Sequence, residues 1–226
     1  MTKIAVAAAL VALVACAHGR SREAAPTIAD ADLGRLAPEQ MGAIERERQA
    51  VATARDELAR ARLRQQETQR EVGLAKADGT AANAEAQRAA AEANVANQSR
   101  EAAALQRAQQ LQQTAALRKQ AADAHLDWAN KLAETRAAQV SVAEQQVALA
   151  QAQLELAKLR SLQASSIPAA SKYDPNKFEE RVRQARQAYD EAFTKARDAE
   201  TRAMVAQRRY EDVSRQLQAF TGGRSG

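Results

Sequence analysis

The fold class is decided by residues 178–220, FEERVRQARQAYDEAFTKARDAETRAMVAQRRYEDVSRQLQAF. Apolar side chains recur in this stretch at spacings of three and four residues, and the pattern continues over six heptads. Heptad repeats of this length are typical of coiled coils, in which each helix buries its apolar stripe against a partner helix. We therefore predict a coiled-coil helix at 176–220 with the buried stripe Phe178, Val182, Ala185, Tyr189, Ala192, Ala196, Ala199, Ala203, Ala206, Tyr210, Val213, Leu217 and Phe220.

The composition of the whole chain also indicates long helices. Fifty-eight of the 226 residues are alanine, whereas the chain contains only 8 glycines, 4 prolines and 7 aromatic residues. Such usage argues against sandwiches, barrels and Rossmann-type domains and is typical of coiled coils. We predict an all-α protein of elongated antiparallel coiled-coil hairpins, built from about three long helices.

The remaining segments of the body follow from its glycines and prolines. Residues 39–163 are predicted to form long alanine-rich helices, and 78–80 is a candidate break, where Gly79 can end one helix and Thr80 can cap the next. A linker at 164–175 precedes the last helix, because Pro168 and Pro175 interrupt helical hydrogen bonding. Residues 221–226 are glycine-rich and are expected to fray.

The order of these helices predicts two hairpins arranged end to end. We expect the helix at 39–77 to fold back on residues 81–119. A first apolar stripe of the middle helix runs from Leu105 to Ala157, and its part at 122–157 is expected to pack on the helix at 176–220.

A second apolar stripe lies about 200° around the middle helix from the first, where this arrangement leaves it uncovered. We predict that it mediates self-association or docks a partner helix. The alternatives are coverage by a third helix of the same chain, or scattered exposed residues without consequence. The stripe comprises Trp128, Leu132, Val142, Leu149, Ala152, Leu156 and Leu159.

The N-terminus has the features of an export signal. Lys3 precedes twelve apolar residues at 4–15, the length of a signal-peptide core and too short to span a bilayer. The segment ends Leu13-Val14-Ala15-Cys16, which resembles the lipobox of bacterial lipoproteins. An ordinary secretory signal and a short membrane anchor are the alternatives at the level of sequence.

The lipobox resemblance implies a specific processing and location. Residues 1–15 would be removed as a lipoprotein signal peptide, and residues 16–38 would form the lipidated cysteine and a flexible tether. Several acyl chains on Cys16 would give durable membrane attachment. Because Ala17 rather than an aspartate follows Cys16, the resemblance implies the periplasmic face of the outer membrane.

Residues suited to catalysis or metal binding are few. The chain has one cysteine and two histidines, and Asp123 and Asp127 share a helical face from which His125 points away. We therefore expect no metal site, no enzymatic activity and no cofactor other than the covalent lipid on Cys16. Acidic and basic side chains are evenly mixed, so nucleic-acid binding is not expected, and we interpret the surface as a solvated coiled-coil exterior, with weak contact with anionic envelope polymers as the alternative.

These features predict a lipid-anchored periplasmic coiled-coil protein with a structural, scaffold or tethering role in the bacterial envelope. The chain resembles helical envelope lipoproteins of the Braun type, although it ends Arg-Ser-Gly where that lipoprotein has the lysine that bonds to peptidoglycan. Expected partners are the membrane and either a second copy of the chain or another helical envelope protein.

Two other functions are retained as alternatives. Residues 148–175 resemble the returning arm of the hairpin in periplasmic efflux adaptors, which implies an adaptor-like component of an envelope export system. Paired basic helices also resemble the tentacles of a periplasmic holdase chaperone.

Overall fold

The computed structural model describes residues 26–222, and all regular secondary structure in this range is helical. The elements are α1 (Asp30–Leu33), α2 (Pro38–Ser99), α3 (Ala102–Ala164), a 3₁₀ turn (Pro168–Lys172) and α4 (Pro175–Gly222). The prediction of an all-α fold with three long helices is confirmed. At 1.5 Å per residue, α2 and α3 are each about 90–95 Å long and α4 is about 70 Å long.

The three long helices form an antiparallel layer with α3 in the middle. Both α2 and α4 pack extensively against α3, each along a different stripe of it. The α2–α3 turn lies at one end of the layer, and the α3–α4 turn lies at the other end together with the start of α2. The chain is therefore a rod whose central helix is apolar on two sides.

The α2–α3 contact is an alanine seam in antiparallel register. Ala54 packs near Ala150, Ala61 near Ala143, and Ala96 near Ala108, so facing residue numbers sum to the same value. Alanine at six of the seven positions of this repeat on α2 lets the two backbones approach closely, and alanine is also the best helix former. The buried seam positions of α2 are Ala54, Ala61, Thr68, Ala75, Ala82, Ala89 and Ala96.

The α3–α4 contact uses the second stripe of α3. Leu149 and Ala152 are buried against Ala185, with Val182 and Tyr189 at the margin. Seven of the predicted stripe residues of α4 are buried: Phe178, Ala185, Ala192, Ala196, Ala199, Ala203 and Ala206.

The predicted arrangement of two hairpins end to end is therefore wrong. The first stripe of α3 faces α2, and the second stripe faces α4, which reverses the expected pairing. The reason is the length of α2, which spans 62 residues and matches the 63 residues of α3. A helix of that length covers α3 from end to end and leaves the second stripe for α4.

The predicted helix break at 78–80 is also wrong, because α2 runs through these residues without interruption. Gly79 has no positive φ, and the Thr80 hydroxyl donates to the Lys76 carbonyl oxygen at 3.0 Å, as it does within a helix. Ala75 and Ala82 are buried in the seam on either side of this segment. Continuous packing thus outweighs the local preference of a single glycine.

The chain reverses instead at Arg100, which has φ 55° and ψ 16°. The Arg100 N–H donates to the Ala96 carbonyl oxygen at 3.2 Å, and the Ser99 hydroxyl donates to the same oxygen at 2.9 Å. These bonds satisfy a carbonyl that the helix end would leave unpaired. A non-glycine residue in the left-handed region is strained, and nothing in the local sequence announces a turn there.

These two positions predict stability changes that distinguish the observed turn from a turn at 78–80. Gly79→Ala is expected to stabilise the protein by about 0.5–1 kcal/mol, because no atom lies within 4 Å of the added Cβ and alanine favours the helix. Arg100→Gly is expected to stabilise it by up to about 1 kcal/mol by relieving the left-handed strain. Urea unfolding followed by circular dichroism measures both changes, and destabilisation by either substitution would contradict the observed turn.

The end of the rod that holds the α3–α4 turn has the largest apolar core. Leu159 and Leu162 of α3 are fully buried there with Ile44 of α2 and Phe178 of α4. Ile28 and Leu33 of the segment 26–36 complete the cluster. Elsewhere the seams consist mainly of alanine, so this end buries the largest side chains per layer.

The segment 26–36 corrects part of the predicted flexible tether at 16–38. Its apolar side chains Ile28 and Leu33 are buried, and the Ile28 N–H donates to the Glu155 carboxylate at 2.8 Å. The packed body therefore includes residues 26–36, which the sequence assigned to the tether. The signal peptide at 1–15, Cys16 and the tail at 223–226 lie outside the described residues.

The predicted linker at 164–175 agrees closely with the structure. The α3 helix ends at Ala164, and α4 begins with Pro175 at its first position. Between them the chain forms the 3₁₀ turn, and Ser166 adopts a positive φ of 52°. Each of the two prolines is the first residue of a helix, Pro168 of the 3₁₀ turn and Pro175 of α4, where the missing N–H costs no helical hydrogen bond.

Candidate functional site

One face of α3 carries a line of polar residues between α2 and α4, and we call it the grooved face. Its α3 residues are separated by multiples of seven and so share one side of the helix. Three clefts open along this face, with volumes of about 920, 450 and 420 Å³. The α3 residues of the grooved face are Arg118, His125, Gln139, Gln146, Gln153 and Arg160.

The predicted association stripe lies largely in contacts within the chain. Leu149 is buried against α4, and Leu159 is fully buried in the end cluster, with Leu156 packed at its edge. Leu132 and Val142 are half-buried, and Val142 lines the 450 Å³ cleft. These contacts correspond to the alternative in which a third helix of the same chain covers the stripe.

Trp128 is half-buried in an aromatic cluster that joins α3 to α4. Its ring is parallel to that of Tyr210 within 9°, with 5.5 Å between the ring centroids. The His125 ring stacks on the same tyrosine at 4.9 Å. Aromatic pairs at these separations add stabilisation beyond the area that they bury.

His125 also links this cluster to α2. Its Nε2 atom lies 3.3 Å from the Glu71 carboxylate, and its Nδ1 atom lies 3.5 Å from the Asp78 carboxylate. From its position on α3, His125 therefore contacts both α2 and α4. The sequence drew attention to Asp123 and Asp127 beside it, whereas the carboxylates that reach His125 come from α2.

A second polar cluster fixes the segment 26–36 to the α3–α4 turn. The Tyr173 hydroxyl donates to the Asp32 carboxylate at 2.6 Å, and Lys172 Nζ lies 3.5 Å from the same residue. Lys158 is buried and donates to Glu155 at 2.7 Å. Sequence analysis missed this cluster, because Asp32 and Tyr173 are 141 residues apart and neither belongs to a periodic stripe.

The Asp32–Tyr173 bond shifts the titration of both partners. The hydrogen bond from Tyr173, assisted by the charge of Lys172, holds the pKa of the Asp32 carboxyl below its usual range. The hydrogen bond to Asp32 in turn raises the pKa of the Tyr173 hydroxyl. The hydrogen bond between the two side chains is thus strongest when Asp32 is charged and Tyr173 is neutral.

This pair predicts how attachment of the segment 26–36 depends on pH. Because the folded pKa of Asp32 is lowered, its stabilisation is present above the unfolded pKa of about 3.9 and is lost as the pH falls through the folded value. Because the folded pKa of Tyr173 is raised, its stabilisation is present below about 10 and is lost as the pH rises through the folded value. Limited proteolysis within residues 26–36 should therefore be faster for Tyr173→Phe than for the parent chain at neutral pH.

The difference between Tyr173→Phe and the parent should shrink at both acidic and alkaline extremes. Tyr189→Phe is the matched control, because Tyr189 lies on α4 away from this segment. Equal cleavage of Tyr173→Phe and the parent at neutral pH would contradict the role of the bond.

Within residues 26–222, no group of three or more side chains is placed to hold a metal ion. In the same range no helix combines the length and the apolar character needed to cross a bilayer.

Comparisons with protein-family models, with curated proteins and with solved structures give no match for this chain.

Proposed function

We propose that the chain is a lipid-anchored periplasmic lipoprotein that acts as a rigid spacer or scaffold in the bacterial envelope. The observation that carries this proposal is the attachment of the segment 26–36 at one end of a rod about 90 Å long. A lipid on Cys16 would therefore hold the rod by that end. The α2–α3 turn at Arg100 would be presented at the opposite end.

The distance from the lipid to the rod is short on this proposal. Nine residues, 17–25, separate Cys16 from Pro26. Ten residue steps span at most roughly 35 Å even when fully extended. The proposed anchor would therefore keep the α3–α4 end close to the membrane surface, whereas a 22-residue tether would have allowed wider movement.

The lipid anchor is tested by Cys16→Ser. We expect this variant to appear in the soluble envelope fraction and to lose incorporation of a labelled fatty acid, because no other anchor is proposed. Ser21→Ala is the matched control, since it changes a neighbouring residue and keeps the thiol. Membrane retention of processed Cys16→Ser would contradict the anchor.

The proposed location at the outer membrane has its own test. Ala17→Asp places an acidic residue after the lipidated cysteine, and in bacteria that sort lipoproteins by this signal we expect transfer to the inner membrane. Density-gradient separation of the two membranes measures the change. An unchanged location in such a host would contradict sorting by Ala17.

The spacer function is tested by shortening the rod while preserving its register. Residues 90–96 and 108–114 face each other across the α2–α3 seam, so removing both segments deletes one heptad from each helix. The rod should become about 10 Å shorter with both turns intact. We expect the shortened chain to reach the membrane normally and to fail to complement the envelope defect of a deletion strain.

The alternatives lead to different outcomes in the same strain. If the protein is an export adaptor, its deletion should abolish drug or toxin export, and the protein should crosslink to an outer-membrane channel protein. A holdase would suppress aggregation of unfolded outer-membrane proteins in vitro, with little dependence on rod length. Full complementation by the shortened chain would contradict the spacer.

A further inference from the structure

One row of facing pairs in the α2–α3 seam repeats every seven residues, from Ala54–Ala150 to Ala96–Ala108, and one pair in this row is not alanine. The seam of α3 places alanine at positions 108, 115, 122, 129, 143 and 150, but arginine at 136. In the antiparallel register, Arg136 faces Thr68, which is the corresponding exception on α2. Both departures from the repeat therefore occur at the same level of the rod.

Arg136 is incompletely satisfied at this position. Its Nη1 atom donates to the Gln139 side-chain oxygen at 2.8 Å, whereas its Nε atom is buried and has no hydrogen-bond partner within the described residues. A guanidinium has five N–H donors, and leaving a buried one unpaired is costly. An alanine would complete the seam at no such cost, so stability alone does not explain this residue.

Two further arginines line the same cleft of the grooved face. Arg60 and Arg64 are four residues apart on α2, where like charges repel each other. Neither forms an ion pair with any residue in the range 26–222, whereas Arg62, on another side of α2, pairs with Glu144 at 2.9 Å. The single acidic residue among those lining the cleft is Glu57, so three positive charges face one negative charge.

We propose that Arg60, Arg64 and Arg136 form a binding site for a dianionic phosphate group, such as a phosphate monoester. The net charge of +2 around the cleft, three positive minus one negative, matches a dianion. Guanidinium groups bind phosphate oxygens through paired N–H donors, and Arg136 lines the cleft with a guanidinium whose buried Nε leaves it incompletely paired within the chain. Neutralising the charge would also remove the repulsion between Arg60 and Arg64.

The rest of the cleft is suited to the group that carries the phosphate. The cleft has a volume of about 450 Å³, which exceeds what a phosphate alone requires. Gln139 and Gln146 offer amide groups for hydrogen bonds, and Val142 contributes an apolar surface. A sugar phosphate and a phospholipid headgroup share this chemistry, so the experiment has to separate them.

The site is tested by calorimetric titration of the full chain with inorganic phosphate and with glucose 6-phosphate. We expect saturable binding at one site per chain. Arg60→Gln and Arg64→Gln should each weaken binding about tenfold or more, in line with loss of a charged hydrogen bond. Arg62→Gln is the matched control on the same helix and should leave the affinity unchanged.

Arg136→Ala separates binding from structure. Because alanine restores the seam, this variant should have a higher Tm than the parent without ligand and should no longer bind phosphate. A lower Tm would instead give Arg136 a purely structural role and overturn the proposal. A loss of affinity in Arg62→Gln as large as in Arg60→Gln would overturn it too, because binding would then follow diffuse charge.

The source of the phosphate is identified with a second probe. Vesicles of phosphatidylcholine with and without phosphatidic acid are mixed with the Cys16→Ser chain, so that no lipid anchor holds the protein to them. Binding of glucose 6-phosphate assigns the site to a soluble or glycan phosphate. Binding only to phosphatidic acid vesicles, sensitive to Arg64→Gln, assigns it to a lipid headgroup, and binding of neither probe overturns the site.

Discussion

Leu159→Ala is expected to destabilise the protein by about 2–5 kcal/mol, the usual range for deleting a fully buried leucine. Leu159 has no exposed surface and lies where the segment 26–36, α2, α3 and α4 meet. The large side chains around it are held by four different elements, which limits their collapse into the cavity. Urea unfolding followed by circular dichroism measures the loss, and proteolysis of residues 26–36 should accelerate in parallel.

Leu74→Ala is the matched control for this change. Leu74 lies on α2 with 61% of its surface exposed, so the same truncation should change stability by less than about 0.5 kcal/mol. If both variants lose the same stability, Leu159 is not in a packed core, and the segment 26–36 is not fixed at this end of the rod.

Ala75→Leu is the second substitution with a large expected effect. Ala75 has no exposed surface, and the register places it opposite Ala129, which is also fully buried. Three added carbon atoms cannot fit between backbones that alanine side chains hold together, so we expect a loss of about 1–3 kcal/mol. Ala77→Leu, at an exposed position on the same helix, should be nearly neutral.

A double-mutant cycle turns this substitution into a test of register. Ala75→Leu and Ala129→Leu should couple, because each forces the same two helices apart at the same level. Ala75→Leu and Ala115→Leu should be additive, because Ala115 faces Ala89, four turns along the seam. Additivity of the first pair would show that Ala75 and Ala129 do not face each other.

The sequence predicts the fold class and the ends of the helices that have strong local signals. The α3 helix ends at Ala164 and Pro175 starts α4, so both ends of the predicted linker agree with the structure. The stripe of α4 is also confirmed from Phe178 to Ala206, because its heptad repeat contains no interruption. These features depend on residues close together in sequence, where propensity and periodicity act in the same direction.

The remaining features depend on contacts between distant residues. The break at Gly79 was wrong because burial of Ala75 and Ala82 keeps the helix continuous, and the turn at Arg100 has neither glycine nor proline to reveal it. With the break misplaced by about 20 residues, α2 was too short to cover α3. Both stripes of α3 were identified correctly, but their assignment to neighbouring helices required the true length of α2.

The arginine cleft also combines a feature that is visible in the local sequence with one that depends on distant contacts. Arg136 was visible as an interruption of the first stripe, whereas its relation to Arg60 and Arg64 depends on the register of α2 against α3. The bond between Asp32 and Tyr173 joins residues 141 positions apart, which no local pattern connects. A helix seam built largely from alanine determines the distance between the helices, but it gives little indication of which residues face each other.

The opposite placement of the two ends of the rod has a mechanical consequence. A pulling force between Pro26 and the α2–α3 turn runs along α2, so it acts on the axial hydrogen bonds of that helix while the seam with α3 supports the helix over its whole length. A force between Pro26 and the α3–α4 turn would instead open the packing at one end and peel α2 from α3 one layer after another. The protein should therefore resist stretching along its long axis and should open at low force when the load is applied across the end that holds the α3–α4 turn.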